Sequence, residues 1–100
     1  MRRYIRVKIV CDHKLTNEQF HEILDNASRR YFGQLGVSRI DPRIVRFDAE
    51  SLEAIVSCES SAAHEFESAL SLITSYAEAP ISLLVLRVSG TVKGAARGRK

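Results

Sequence analysis

The stretch RIVRFDAESLEAIVSC, residues 43–58, decides how this chain folds. Two short runs, RIVRFD and LEAIVSC, flank the turn AES. Both are rich in β-branched or aliphatic residues, and strands separated by so few residues form a hairpin. Alternation in the first run places Val45 and Phe47 inward and Ile44 and Arg46 outward. In the second, Leu52, Ala54, Val56 and Cys58 share one face, and Glu53, Ile55 and Ser57 the other.

On either side of this hairpin the pattern is strand then helix, and helix then strand. RYIRVKIVC (3–11) alternates, with Ile5, Val7, Ile9 and Cys11 on one side and Tyr4, Arg6, Lys8 and Val10 on the other. That is a half-buried strand. TNEQFHEILDNASRRYFG (16–33) carries Thr16 and Gln19 at capping-box spacing, which satisfies free amides at a helix start. Phe20, Ile23, Leu24, Ala27 and Tyr31 follow at helical spacing, and Gly33 is the expected stop. GVSRIDP (36–42) is a connection. After the hairpin, SSAAHEFESALSLITSYAEAP (60–80) predicts a second helix, capped by Ser60 or Ser61 and ended by Pro80. Its apolar stripe is Ala62, Phe66, Ala69, Leu70, Ile73 and Ala77. ISLLVLRVSG (81–90) is the last strand.

Strand, helix, strand, strand, helix, strand is the split βαβ plan. The expected fold is an α+β, ferredoxin-like βαββαβ sandwich with a four-stranded antiparallel sheet and two helices on one face. Its strands lie in the spatial order 4-1-3-2. The expected organisation is one domain over residues 1–93 and a basic flexible tail over 94–100. With Arg87 placed outward, parity carries Leu83 and Val85 outward too. The open face then combines cations with apolar residues, and Tyr4, Ile55, Leu83 and Val85 are its candidate protein-partner surface.

Charge is distributed unevenly along the 100 residues. Residues 1–10 and 90–100 carry eight basic residues and no acid, whereas residues 11–89 carry seven basic and twelve acidic ones. In the expected fold the last strand is antiparallel to the first, so the two basic ends meet at one corner. Such a corner fits a polyanion. Candidate RNA-binding residues are Arg2, Arg3, Arg6, Lys8, Arg87, Lys93, Arg97, Arg99 and Lys100. The RNA recognition motif shares this topology but stacks bases on aromatics in strands 1 and 3. Here only Tyr4 could do so, so binding should lean on phosphate and shape.

Other classes find less support. No stretch approaches the roughly 18 apolar residues of a membrane span, and Arg6 and Lys8 interrupt any leader-like run. Cytoplasmic residence and no membrane are therefore expected. Cys11 and Cys58 read as reduced thiols rather than a disulfide. His13, His21 and His64 lack metal-ligand spacing, so no metal site is expected. Asp12-His13 is a dipeptide in a turn, and no nucleophile–base arrangement stands out, so no catalytic residue is assigned. Gly33 and Gly36 bracket a turn rather than a phosphate loop. The competing reading is a ferredoxin-like regulatory or small-ligand module that dimerises, although no polar pocket is evident.

Three segments carry a resemblance. RRYIRVKI (2–9), FESALSLITSYAE (66–78) and LRVSGTVKGA (86–95) together resemble the RNase P protein component 2 family of archaea and eukaryotes. The family's marks are an Arg-Tyr opening the first strand, an A-L-x-x-I-T stretch, and a small-Gly-Thr-Ile/Val-Arg/Lys motif. Here these are Arg3-Tyr4, Ala69 to Thr74, and Ser89-Gly90-Thr91-Val92-Lys93. The resemblance implies a subunit of ribonuclease P that supports the catalytic RNA in 5′ maturation of precursor tRNA. It implies no cofactor for the protein, magnesium for the RNA enzyme, and no nuclease activity for the protein alone. Implied partners are the ribonuclease P RNA, protein component 3 and, indirectly, precursor tRNA, with room for a homodimer within a heterotetramer. Gly90 would let the chain turn after the last strand, and the tail would mould onto RNA.

Overall fold

The computed structural model describes residues 1–97. The elements are β1 (Arg2–Val10), α1 (Asn17–Ile40), β2 (Arg43–Asp48), β3 (Glu53–Glu59), α2 (Ala63–Ser71), β4 (Ser75–Tyr76), β5 (Ala79–Pro80), β6 (Ser82–Ser89) and α3 (Val92–Ala96). β1, β2, β3 and β6 form one antiparallel sheet in the order β2-β3-β1-β6. This is the expected 4-1-3-2 arrangement, with α1 and α2 covering one face. No helix is long and apolar enough to cross a membrane among the described residues.

The core follows from the period-two pattern of β1. Ile5, Val7 and Ile9 are buried, with Ala54, Val56 and Cys58 of β3 beside them. Phe20, Ile23 and Leu24 of α1 and Phe66 and Leu70 of α2 close over them. Each of the Ile, Val, Leu and Phe side chains taken out of water contributes about 1.5–3 kcal/mol. Phe20 also stacks on Phe47 of β2 at 5.4 Å between ring centroids. The start of α1 is set by the capping box. The Gln19 amide donates to Thr16 Oγ1 at 3.1 Å, and the Thr16 amide donates to Gln19 Oε1 at 2.9 Å.

Several local expectations are corrected. Gly33 does not end the helix. It adopts φ 70, ψ 177, a conformation nearly reserved for glycine, and so kinks α1. Helical turns then resume to Ile40, which is fully buried and anchors the second segment. α2 stops at Ser71 rather than Pro80. Residues 75–80 form the small β4–β5 hairpin, and Ala77 and Glu78 at its tip take φ 50 and 68. Ala77 is therefore exposed and not part of a helical stripe. Neither Ser60 nor Ser61 caps α2; they lie in a 3₁₀ turn that runs into it.

Two bulges explain the remaining differences. In β2 the register shifts between Ile44, opposite Val56, and Arg46, opposite Ile55. Val45 is the extra residue and is exposed, while Ile44 packs against the core. In β6 the register shifts between Val85, opposite Val7, and Arg87, opposite Arg6. Leu86 is the extra residue there. A bulge breaks the alternation, so Arg87 lies on the open face although Leu83 and Val85 do not. Leu83 is 3% exposed and belongs to the core, and Val85 shares its side.

The corrected register has a direct consequence. Leu83→Asp should cost at least about 3 kcal/mol, from lost burial and a buried carboxylate. Leu84→Asp, one residue on, should stay within about 1 kcal/mol because Leu84 is half exposed. Urea unfolding of the two variants checks this, and equal losses would contradict the register.

Candidate nucleic-acid interface

The face opposite α1 and α2 is organised in rows. Sheet register aligns Arg46 of β2, Ile55 of β3, Arg6 of β1 and Arg87 of β6. The next row is Asp48, Glu53, Lys8 and Leu84. Over the first row lies α3, which contacts β6, β1 and β3.

Residues that looked like the start of a tail build α3. Thr91 caps it, its Oγ1 accepting the Gly94 amide at 2.9 Å. Ala95 is fully buried outside the main core, as is Ile55 on the same face as Arg6. Five residues cannot hold a helix unaided, and the carbonyls at its end need donors. Arginines supply them. Arg87 Nε donates to the Gly94 carbonyl at 2.8 Å, and Arg6 Nη1 reaches the Ala96 and Arg97 carbonyls, each at 3.4 Å. The expected domain boundary at residue 93 thus falls inside α3.

This sorts the predicted RNA-binding residues into groups. Arg6 and Arg87 are engaged with α3, and Arg6 Nε also lies 4.0 Å from Glu53 Oε1. Lys8 Nζ donates to the Ser51 carbonyl. Arg2 turns away from the corner. Its guanidinium donates to Asp41 Oδ2 at 2.9 Å, the Asp41 carbonyl at 2.8 Å and Ser57 Oγ at 2.7 Å, with Glu59 at 3.5 Å. A hydrogen bond from Arg43 holds the Asp41 carboxyl below the usual range against the opposing effect of desolvation, with Arg2 adding to the lowering. Arg3 stays near the corner, its Nη1 standing 3.2 Å from where a Cβ on Gly90 would lie. Lys93 and Arg97 are exposed and form no ion pair among the described residues. Arg99 and Lys100 lie outside the described residues.

Arg46 was missed as a binding candidate. It is exposed, forms no ion pair among the described residues, and heads the row that ends at Arg87. Its outward parity is visible in the sequence, but its alignment with Arg6 depends on the β2 bulge. Of the expected partner surface, Tyr4 is half-buried on the open face, Val85 is 37% exposed, and Ile55 and Leu83 are buried. A run of exposed aliphatics instead follows the β6 edge of the sheet, at Leu84, Val85, Leu86 and Val88.

The arrangement offers cations rather than a reactive group. His13 Nδ1 lies 3.3 Å from Asp12 Oδ1 at the surface of a turn. Burial pushes the Cys58 thiol up to about 11, which keeps it protonated and unreactive near neutral pH. No cluster of three or more His, Cys, Asp or Glu suited to a metal occurs among the described residues.

A profile of the Rpp14/Pop5 family matches residues 3–98. The chain belongs to the Rpp14/Pop5 family. Ribonuclease P protein component 2 of Methanocaldococcus jannaschii is 30% identical over 94 residues, covering 94% of this chain and 69% of the relative. The Pyrococcus furiosus protein of that name is 27% identical over 92 residues, 92% of this chain and 77% of the relative. A chain in the cryo-EM structure of yeast ribonuclease MRP superposes with a TM-score of 0.76 at 18% identity, covering 99% of this chain and 78% of that one. This last likeness shows the shared fold.

In this member of the Rpp14/Pop5 family, the Ser89–Gly94 segment is the latch of α3. The chain bends at Gly90 and Thr91, as expected, but Gly90 does not take a positive φ, so the bend does not call on a glycine-only conformation. Gly90 leaves room for Arg3. Gly94 is more constrained: a Cβ there would overlap Ser89 Oγ and stand 2.9 Å from Thr91 Oγ1. Gly94→Ala should therefore cost about 1–3 kcal/mol through overpacking, whereas Gly90→Ala should stay within about 0.5 kcal/mol because Arg3 can move. Equal effects in thermal unfolding would contradict the latch.

Proposed function

We propose that this chain is a protein subunit of ribonuclease P that binds and supports the catalytic RNA during 5′ maturation of precursor tRNA. The observation that carries the reading is the family match over nearly the whole chain, with relatives that bear the name ribonuclease P protein component 2. The exposed cations Arg46, Lys93 and Arg97 support it, because phosphate binding needs charge that the protein's own acids have not neutralised. Arg6 and Arg87 donate to the carbonyls of α3 and hold it in place. Catalysis belongs to the RNA, and the protein contributes position and charge.

The protein partner, component 3, covers the β6 edge in this reading. β6 reads SLLVLRVS, a nearly continuous apolar run of the kind found in strands buried on both faces. Yet it is an outer strand of the sheet, with one backbone edge unpaired among the described residues and exposed aliphatics on both sides. Exposed apolar edges are aggregation hazards unless something covers them.

Reconstitution tests the proposal. With its cognate RNA, component 3 and magnesium, the protein should raise cleavage at the 5′ site, and the protein alone should leave precursor tRNA intact. Correct cleavage by RNA-free protein would contradict it. Changing Arg46, Lys93 and Arg97 together to Ala should lower the magnitude of the log–log salt slope for RNA binding by roughly two to three. An unchanged slope would remove these residues from the interface. Leu84→Asp with Leu86→Asp should weaken capture of component 3 while RNA affinity stays within about twofold.

A further inference from the structure

A second feature lies on the other side of the molecule. Between α1 and the β4–β5 hairpin is a groove of about 180 Å³. Tyr31 forms one wall. It is the large aromatic among the exposed hydrophobic residues, at 39%, and its hydroxyl donates to the Leu72 carbonyl at 3.4 Å. The Arg30 guanidinium lies 5.9 Å from the Tyr31 ring centroid. Nearby Arg29 and Arg39 are paired with Asp25 and Glu65. Arg30 forms no ion pair among the described residues. Asn26, Thr74 and Ser75 line the groove with amide and hydroxyl groups. The hairpin is fastened to α1 by the Tyr76 hydroxyl, which donates to Glu22 Oε1.

We infer that this groove seats one unpaired RNA nucleotide, its base against Tyr31 and its phosphate near Arg30. A flat, half-exposed ring held at its hydroxyl is a stacking surface that costs little to order. Hydroxyls and an amide both donate and accept, which suits the mixed edge of a base. The Arg30 guanidinium lies over one face of the ring and has no ion pair among the described residues, so it can turn to the phosphate of a base stacked on Tyr31. The open sheet face, where a fold of this topology places its stacking aromatics, offers only the half-buried Tyr4 among the described residues. Stacking on the helical side would supply what that face lacks. The inference rests on the ribonuclease P reading for the source of the RNA.

The test uses the whole protein, first with single-stranded hexameric RNA carrying 2-aminopurine, then with its cognate RNA. Fluorescence of the base should be quenched on binding. Tyr31→Ala should weaken hexamer affinity about five- to 150-fold, the range of one stacked base, and abolish the quenching. Tyr31→Phe should retain both, which separates stacking from loss of the hydroxyl contact. Arg30→Ala should lower the single-strand salt slope by about 0.7. Circular dichroism melts confirm that the variants fold. Tyr31→Ala with unchanged affinity and quenching would overturn the inference. So would loss of component 3 binding with RNA binding intact, which would make the groove a protein interface. In both cases the wild-type protein would still support cleavage with its cognate RNA, and the ribonuclease P reading would stand. A wild-type protein that neither bound this RNA nor raised cleavage would overturn that reading, and the groove with it.

Discussion

Two arginines on one sheet face hold the short helix α3 in place. Arg87 and Arg6 lie opposite each other in register and donate to the carbonyls of Gly94, Ala96 and Arg97. Without those donors the Ala96 and Arg97 carbonyls would be left to water, and the Gly94 carbonyl would keep only the Arg97 amide, at 3.2 Å. A hydrogen bond from a charged donor contributes about 1.5–3 kcal/mol, less where water competes. The contribution is enough to decide whether so short a segment is ordered. Positive charge is therefore spent in two ways here: some cations build the surface, and others are presented by it.

That division separates this face from a simple basic patch. Arg2, by its ion pairs to Asp41 and Glu59, ties β1 to the end of α1 and to β3. Lys8 is bonded to the β2–β3 turn. Arg46, Lys93 and Arg97 are exposed and form no ion pair among the described residues; Arg46 heads the row that Arg6 and Arg87 occupy, and Lys93 and Arg97 belong to α3 and its end. A polyanion approaching the face would meet Lys93 and Arg97 on a backbone that Arg6 and Arg87 hold, which lowers the ordering cost of binding. The apolar β6 edge runs beside this face, so an RNA and a protein partner could be held at once without competing for the same residues.

Much of the fold is legible in the sequence because its signals are local. The alternation of Ile5, Val7 and Ile9, the Thr16–Gln19 box and the short turn between β2 and β3 each specify their own element. The errors arise where pairing between strands intervenes. Leu86 and Val45 are extra residues only with respect to a neighbouring strand, so parity counted along either strand alone gives the wrong face to Leu83 and Ile44. The end of α2 was hidden because TSYAEA is an acceptable helical sequence, whereas Ala77 and Glu78 adopt left-handed conformations in the hairpin. α3 was hidden for the opposite reason. GTVKGAA has weak helical propensity and depends on Thr91, Arg6 and Arg87. The basic corner was legible in outline, but Arg2 left it for Asp41, an acid whose approach depends on where the kinked α1 ends.

The role of Arg6 and Arg87 as supports is tested most directly by amide hydrogen exchange at Ala95 in the RNA-free protein. The Ala95 amide donates to the Thr91 carbonyl at 3.0 Å and sits under a fully buried side chain. It should be protected in the wild type. Arg87→Leu should speed its exchange by about tenfold or more, the equivalent of losing one charge-assisted hydrogen bond, while Ile5 and Val56 in the main sheet exchange as before. Unchanged exchange at Ala95 would mean that α3 stands without Arg87, and the division between supporting and presented cations would fail.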